Sequence, residues 1–461
     1  MTAVRATAVA VNGRLAPLEK FIELCSSYRT ELRRSIVTHR SILSPIRRLP
    51  NELLAEIFTA AVKDAFRGSD RLDCLSPWSQ PPWTLARVCR RWAAIVLGTP
   101  SMWSRIFLNL DAIGAGPGAV ALTELLHQRS GGLPLSITMN ERYNSETRGV
   151  LDVVFTHCER WQHWELLVSR GSPLLLDIPT AHAGRLPNLT TLKIYAEFGP
   201  DDAEFESLAG FRNIFAIAPR LTAVYASFED SNRVFSRPPL EFPWPQLTTL
   251  SIGLRFSEEA LPLIPQLSTI VNLRVQCTKA DPFPAQSPIT LPHLRMLEVK
   301  AQYRSDPLRS LSLLGCLTTP LLEHLGVQDE ATKDEILSLI TRSRCKLKSF
   351  HFIHDTICPE DVLSLIREMS NLRELKMGDF AETSTPLSVP PVSIIQGLHS
   401  HWLAVRRQLG PGSRLSVCVV DDNRPSIDPD VISLMQKDGL FIDILPHVWQ
   451  FDSLVDAKFD T

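Results

Sequence analysis

The chain has 461 residues, 44% of them hydrophobic and 21% charged, with a formal net charge of −2. That balance supports one or two sizeable cores and argues against a wholly disordered chain. No apolar run approaches the roughly eighteen residues that cross a bilayer, so no membrane partner is expected. The nine cysteines lack paired spacing, which speaks against a disulfide framework or a zinc ribbon and for a reducing, cytoplasmic or nuclear setting.

The charge is unevenly placed. Residues 1–107 carry 16 Lys and Arg against 8 Asp and Glu, leaving 32 against 42 for the rest. The two parts are expected to meet different partners. Within residues 1–43, Leu18, Phe21, Cys25, Tyr28, Leu32, Ser35, His39 and Ile42 follow alternating steps of three and four. This spacing predicts a helix with one apolar seam, expected to lie against the rest of its domain in preference to a dimerising coiled coil.

Residues 44–107 read as a helical module. It opens "SPIRRLPNELLAEIF", where Pro50, Asn51 and Glu52 supply first-turn chemistry for a helix to about Val62. Leu53, Leu54, Ile57, Phe58 and Ala61 form its apolar stripe. From Trp83 the same spacing recurs through Leu85, Val88, Cys89, Trp92, Ile95 and Val96, with Arg87, Arg90 and Arg91 mostly on the other side, until Gly98 and Pro100 stop it. Residues 66–82 between the halves are rich in turn formers and are expected to be an exposed, protease-sensitive loop. About sixty residues make a thin core, so apolar side chains on this unit point to a second protein that completes it. The arginines lie on helices with no aromatic stacking platform between them, which favours an acidic protein partner over nucleic acid.

Leu49-Pro50, Glu52-Leu53-Leu54, Ile57-Phe58, Val88-Cys89-Arg90-Arg91-Trp92 and the closing Trp103 resemble the F-box, a three-helix adaptor-binding motif. The resemblance covers about the first quarter of the chain. It departs from the family in the long stretch at 66–82. It implies docking to a Skp-type adaptor, and through it a cullin-RING ubiquitin ligase, by Leu49, Pro50, Leu53, Leu54, Ile57, Phe58, Val88, Cys89 and Trp92. The rest of the chain would then select a protein substrate.

Residues 108–160 form a transition containing a helix from about Ala119 to Arg129 and the alternating strand "LPLSITM". Over residues 161–380 a pattern of apolar, two others, apolar, one other, apolar then recurs nine times, from "WQHWEL" to "LRELKM". The first residues are Trp161, Leu189, Leu221, Leu247, Ile270, Leu294, Leu322, Leu347 and Leu372, mostly 23 to 28 apart. Each unit supplies a short strand and a return segment, and none can bury its apolar face alone. Stacking is compulsory, and the expected fold is α/β, an all-helical module followed by a leucine-rich-repeat-like solenoid with a parallel strand ladder. Helical returns are expected at Asp334–Ser343 and Pro359–Ser370, whereas "KADPFPAQSPIT" must be a loop. Residues 381–449, with helices at Gln396–Leu409 and Pro429–Lys437 and strands "RLSVCVV" and "LFIDIL", read as capping units, and 450–461 as a tail.

No nucleotide-binding, zinc-protease or nucleophile-elbow motif occurs, so no catalysis and no cofactor are expected. Cys345, His351, His354 and Cys358 have zinc-binding side chains but match no known finger spacing. Asp421, Asp422, Asp428 and Asp430 lack the glycine and terminal Glu of a calcium loop. Strand alternation instead nominates a row between the inward apolar positions: Glu165, Lys193, Tyr225, Ser251, Arg274, Glu298, Gly326, His351 and Lys376. Its mixed signs suit a protein or peptide, with Lys193, Tyr225, Arg274, Glu298, His351 and Lys376 as the contact residues and Tyr225 and Arg274 as anchors. The expected function is a substrate receptor of a Skp-cullin-F-box ubiquitin ligase. The alternative is a non-catalytic scaffold whose basic helices take another partner.

Overall fold

The computed structural model describes residues 2–65, 81–110, 117–141, 148–168, 185–198, 214–230, 241–255, 261–278, 288–301, 313–328, 332–353, 359–369, 371–378, 415–420, 436–437 and 440–445. Among these, one compact unit ends at Met102 and a second begins at Trp103. The turn-rich stretch expected at 66–82 lies outside the described residues apart from Pro81 and Pro82. So do the expected helix Gln396–Leu409, most of Pro429–Lys437, and the tail.

The first unit starts with α1 (Thr2–Leu43), which runs through Pro17. Its seam does not lie against the domain as expected. Leu18, Phe21, Cys25, Tyr28 and Leu32 are all exposed. The reason lies in the helices that follow, which close their own core. α2 (Asn51–Ala65) buries Leu54, Phe58 and Val62 against the later helix that carries Ile95 and Val96 and against the turn at Met102. Among the described residues that core closes without a contribution from the exposed stretch of α1. α2 begins where Leu54 donates its N–H to the Pro50 carbonyl at 3.1 Å, and it carries Glu52 in its first turn and Lys63 in its last, as the helix dipole favours.

The periodic stretch from Trp83 is not one helix but two, α3 (Trp83–Ala86) and α4 (Arg90–Leu97). Cys89 between them is extended, with φ −162° and ψ 167°. The periodic apolar residues do not share one fate across the break, for Val88 and Cys89 are exposed while Ile95 and Val96 are buried. What decides the break is tertiary. Arg91, read from sequence as facing outward, donates to Asn51 Oδ1 at 2.9 Å, to the Arg47 carbonyl at 2.8 Å and to the Leu49 carbonyl. Those carbonyls belong to a 3-10 turn (Pro45–Arg48) and the residue after it, and the guanidinium satisfies them and ties the start of α2 to the start of α4.

The second unit is built on a parallel sheet. Among the described residues 13 strands follow one another: β1 (Arg105–Asn109), β2 (Leu135–Glu141), β3 (Trp161–Val168), β4 (Thr191–Phe198), β5 (Ala223–Asp230), β6 (Thr249–Arg255), β7 (Asn272–Thr278), β9 (Met296–Ala301), β11 (His324–Gln328), β12 (Ser349–Ile353), β13 (Glu374–Gly378), β14 (Leu415–Val420) and β15 (Leu440–Leu445). A separate two-stranded pair, β8 (Ile289–Thr290) and β10 (Leu317–Thr318), lies in the return segments. Strand order equals chain order, a solenoid-like arrangement in which each unit contacts its neighbours.

The apolar pattern explains this ladder residue by residue. All nine first positions, Trp161 to Leu372, are buried, and so are the residues three further on, from Trp164 to Leu375. In the N-terminal half the two tryptophans of the first unit start a series of packed rings that continues into residues before the later strands: Trp161 on Trp164 at 4.8 Å, Trp164 on Phe215 at 5.6 Å and Phe215 on Phe242 at 6.2 Å. The ladder begins two strands earlier than the repeat reading placed it. Trp103, Ile106 and Leu108 carry the same spacing and are buried, so the Trp that closes the helical motif also opens the first unit of the sheet. β2 escapes the pattern because its unit is one residue short, and a register shift at Leu135/Ser136 absorbs the difference.

The described returns include α5 (Pro117–Arg129), α6 (Arg148–Thr156), α7 (Leu313–Cys316), α8 (Lys333–Ser343) and α9 (Pro359–Glu368). α8 is capped at both ends. Thr332 and Glu335 exchange side-chain-to-backbone hydrogen bonds of 2.9 and 3.4 Å, and Arg344 takes the left-handed conformation, φ 49°, that ends the helix.

Candidate functional site

The residues nominated on the helical module do not form one surface. Leu54 is 0% and Phe58 2% exposed, because they build the core between α2 and α4, with Phe58 against Trp92 at a ring distance of 4.5 Å. These two are corrected from contact residues to core residues. Trp92 is half-buried beside them and Leu49 is half-buried in the turn before α2. Pro50, Leu53, Ile57, Val88 and Cys89 remain open to solvent, with Leu53 and Ile57 each 45% and Val88 58% exposed. An α-helix places residues three and four apart on one side, so Leu53 and Ile57 share a face offset from the buried Leu54–Phe58–Val62 stripe. Sequence periodicity merged the two because both are apolar and differ by only one residue in phase. Arg91 was the missed residue. Its position within "VCRRW" is visible in the sequence, but only the fold shows that it reaches the carbonyls beneath Leu49-Pro50.

The ladder presents a second candidate surface. The register places Glu165, Lys193, Tyr225, Ser251, Arg274, Glu298, Gly326, His351 and Lys376 opposite one another, one per strand. The row extends to Phe107 and Thr138 before it and to Cys418 and Asp443 after it. On the same face a parallel row, not singled out from sequence, runs through His163, Thr191, Ala223, Thr249, Asn272, Met296, His324, Ser349 and Glu374. The same alternation would have found it, two residues earlier in each unit.

The face was expected to point outward into solvent, and it is largely covered. Tyr225, Glu298 and Lys376 are buried, and Arg274 and His351 are half-buried. Cross-strand neighbours are close enough for long side chains to lie on one another. Arg274 Nε donates to Glu298 Oε2 at 2.7 Å, with the two side chains only 13% and 8% exposed. The Lys193 ammonium stands 5.3 Å from the Tyr225 ring centre. Lys376 Nζ lies 3.1 Å from Glu374 Oε1, and Ser349 donates to Glu374 Oε2 at 3.0 Å while its hydroxyl also meets His351 Nε2 at 3.0 Å. Gly326 leaves a dip between these clusters, edged by Met296, Glu298, His324, Ser349 and His351. A Cβ there would come within 2.9 Å of Glu298 Cγ. The result is a polar strip whose charges are largely paired with one another, with a small recess at Gly326.

Among the described residues no group of three or more His, Cys, Asp or Glu is placed to hold a metal ion. His354, Cys358 and the four aspartates at 421–430 lie outside them. Burial pushes the Cys345 thiol up to about 11, which keeps it protonated. Among the described residues no helix is long and apolar enough to cross a membrane.

Residues 46–109 match the F-box-like family. The match begins in the 3-10 turn that Arg91 clamps and ends with β1, so it takes in the buried stripe, the exposed Leu53–Ile57 face and Trp103. No curated protein matches the chain. Domains of this family are non-catalytic protein–protein interaction modules that typically bind Skp-type adaptors.

Proposed function

We propose that the protein is a non-catalytic substrate receptor of a Skp-cullin-F-box ubiquitin ligase, acting in the cytoplasm or nucleus. The observation that carries the reading is the set of apolar side chains left open on the F-box-like module, Pro50, Leu53, Ile57 and Val88, beside a core that is already complete. Such side chains gain from burial only when a second protein covers them. Arg47, Arg48, Arg87 and Arg90 are exposed on the same unit and suit an adaptor with an acidic docking surface. Through that adaptor a cullin-RING ligase would be reached. The strand ladder, which resembles leucine-rich repeats, would hold a peptide or protein substrate along the strip from Lys193 to Lys376.

The test is capture of a purified Skp-type adaptor by the full chain. Leu53→Asp and Ile57→Asp should abolish it while circular dichroism and the melting curve stay unchanged, since both side chains are exposed in the free protein. Burying an unpaired carboxylate costs several kcal/mol, enough to lose a micromolar complex. Undiminished capture by both variants would overturn the reading.

A further inference from the structure

The strip spends its charges on one another, and uncompensated charge gathers instead at the edge where the strands open. The residues just before β9, β11, β12 and β13 are Arg295, Glu323, Lys348 and Arg373. From Glu323 onward, the N–H of each donates to the carbonyl of the one before it, at 2.8, 2.7 and 2.7 Å, so the four stand one strand apart and span about 14 Å. Arg295 and Lys348 converge on the Glu323 carboxylate at 3.2 and 2.9 Å, with their own side chains 55% and 43% exposed. The hydrogen bond from Lys348 holds that carboxylate below its usual range, although burial works against it. Arg373 is exposed, and so is Lys346 two residues before Lys348; neither forms an ion pair among the described residues. Glu374 is engaged by Lys376 on the strip, and the exposed Arg367 and Glu368 at the end of α9 offset one another. Four bases thus stand with one acid along this edge, in a part of the chain, residues 108–461, where acids outnumber bases 42 to 32.

Building on the reading of the ladder as the surface that holds a protein substrate, we propose that its opening edge binds an acidic segment of that substrate, gripped by Lys348 and Arg373 and flanked by Arg295 and Lys346. Glu323 already displays the geometry, since bases from the strands on either side close on its one carboxylate. Between Lys348 and Arg373 no acid of the row intervenes, and a substrate carboxylate takes there the place that Glu323 takes one step earlier. An extended peptide advances about 3.3 Å per residue, so about four residues run the length of the row, with alternate side chains facing it. The strip is a poorer host for this charge. Arg274 and Lys376 are already engaged with Glu298 and Glu374, and separating such covered pairs is costly. Glu323 also decides the class of ligand. A nucleic-acid backbone carries a phosphate at every step and would set one against that carboxylate, whereas a peptide can place an uncharged residue there.

The experiment is fluorescence anisotropy on the full chain with a short labelled peptide of alternating Glu and Ser, compared with the same peptide carrying Gln for Glu. The Glu peptide should bind and be released by salt, and the Gln peptide should not bind. Lys348→Gln combined with Arg373→Gln should weaken binding about tenfold, with an unchanged melting curve because both side chains reach solvent. Glu323→Gln should act in the opposite sense and tighten binding about threefold, since it frees Arg295 and Lys348, an effect that loss of structure would not produce. Capture of the Skp-type adaptor belongs to the helical module and should be the same for all three proteins, which separates a failure at this edge from a failure of the receptor reading. No binding of the Glu peptide, equal binding of the two peptides, undiminished binding by the Lys348/Arg373 variant, or weaker binding by Glu323→Gln would overturn the proposal. So would a labelled single-stranded oligonucleotide that binds more tightly than the peptide and is lost with the same Lys348/Arg373 change.

Discussion

Replacing Glu298 with Ala removes the partner 2.7 Å from the Arg274 guanidinium in a place where the two side chains are 13% and 8% exposed. Two unit charges about 4 Å apart attract by about 4 kcal/mol at the effective dielectric of a partly covered site. Desolvation offsets most of that for the intact pair, so the pair itself adds little. Breaking it is different, because the remaining charge stays covered. Truncation of one partner of a buried pair costs about 3–5 kcal/mol, and the residual exposure of Arg274 lowers the expectation to about 2–4 kcal/mol. Arg274→Met should cost a similar amount, whereas Arg274→Met with Glu298→Leu should fall within about 1 kcal/mol of the native chain, since apolar replacement removes both desolvation costs. The assay is a double-mutant cycle by urea unfolding, followed through the fluorescence of the buried Trp161, Trp164 and Trp244. A double variant as unstable as the sum of the singles would refute the reasoning. It would mean that the strip is held by its backbone and not by the covered pair.

Gly326→Ala should destabilise by about 1 kcal/mol, because the added Cβ displaces Glu298 from a position 2.9 Å away, and Glu298→Ala should relieve that loss in the same unfolding assay. Phe58→Ala should cost about 3–4 kcal/mol through lost packing on Trp92 and a cavity in the helical module, seen as a lower melting temperature for that unit. Arg91→Ala frees the carbonyls of Arg47 and Leu49 and should lower stability by about 1–2 kcal/mol, less than three buried charged bonds would give because the guanidinium is exposed. It should also weaken capture of the adaptor, and unchanged melting would dismiss the clamp. His127 is buried against His157 at a ring distance of 4.6 Å, and burial, with His157 and Arg160 nearby, lowers its pKa to about 3 from 6.5. The folded state holds it neutral while the unfolded chain takes a proton below 6.5, so its contribution is present above that pH and is lost as pH falls toward 3. Between pH 7 and 5 this amounts to about 2 kcal/mol, and His127→Leu should shrink the acid-induced loss by that much.

Strand and helix periods were legible wherever a residue's fate depends on its own unit. Nine apolar triplets placed nine strands, and alternation placed the row from Glu165 to Lys376 in register, because each strand pairs with the next at a fixed phase. The helical motif was equally plain, from Leu49-Pro50 to Trp103. What the sequence could not decide depends on contacts between units far apart in the chain. Leu53 and Leu54 look alike as residues, yet one is 45% and the other 0% exposed, since only the position of α4 distinguishes the two faces. Arg91 reads as solvated until the turn of residues 45–48 folds back to within its reach. The apolar seam of α1 reads as buried until the helices after it turn out to have closed their own core. On the ladder, alternation tells which side chains leave the apolar core but not whether neighbours cover them. Coverage is a sum over several strands, and Arg274 and Glu298, 24 residues apart, become a shielded pair only when β7 and β9 lie side by side.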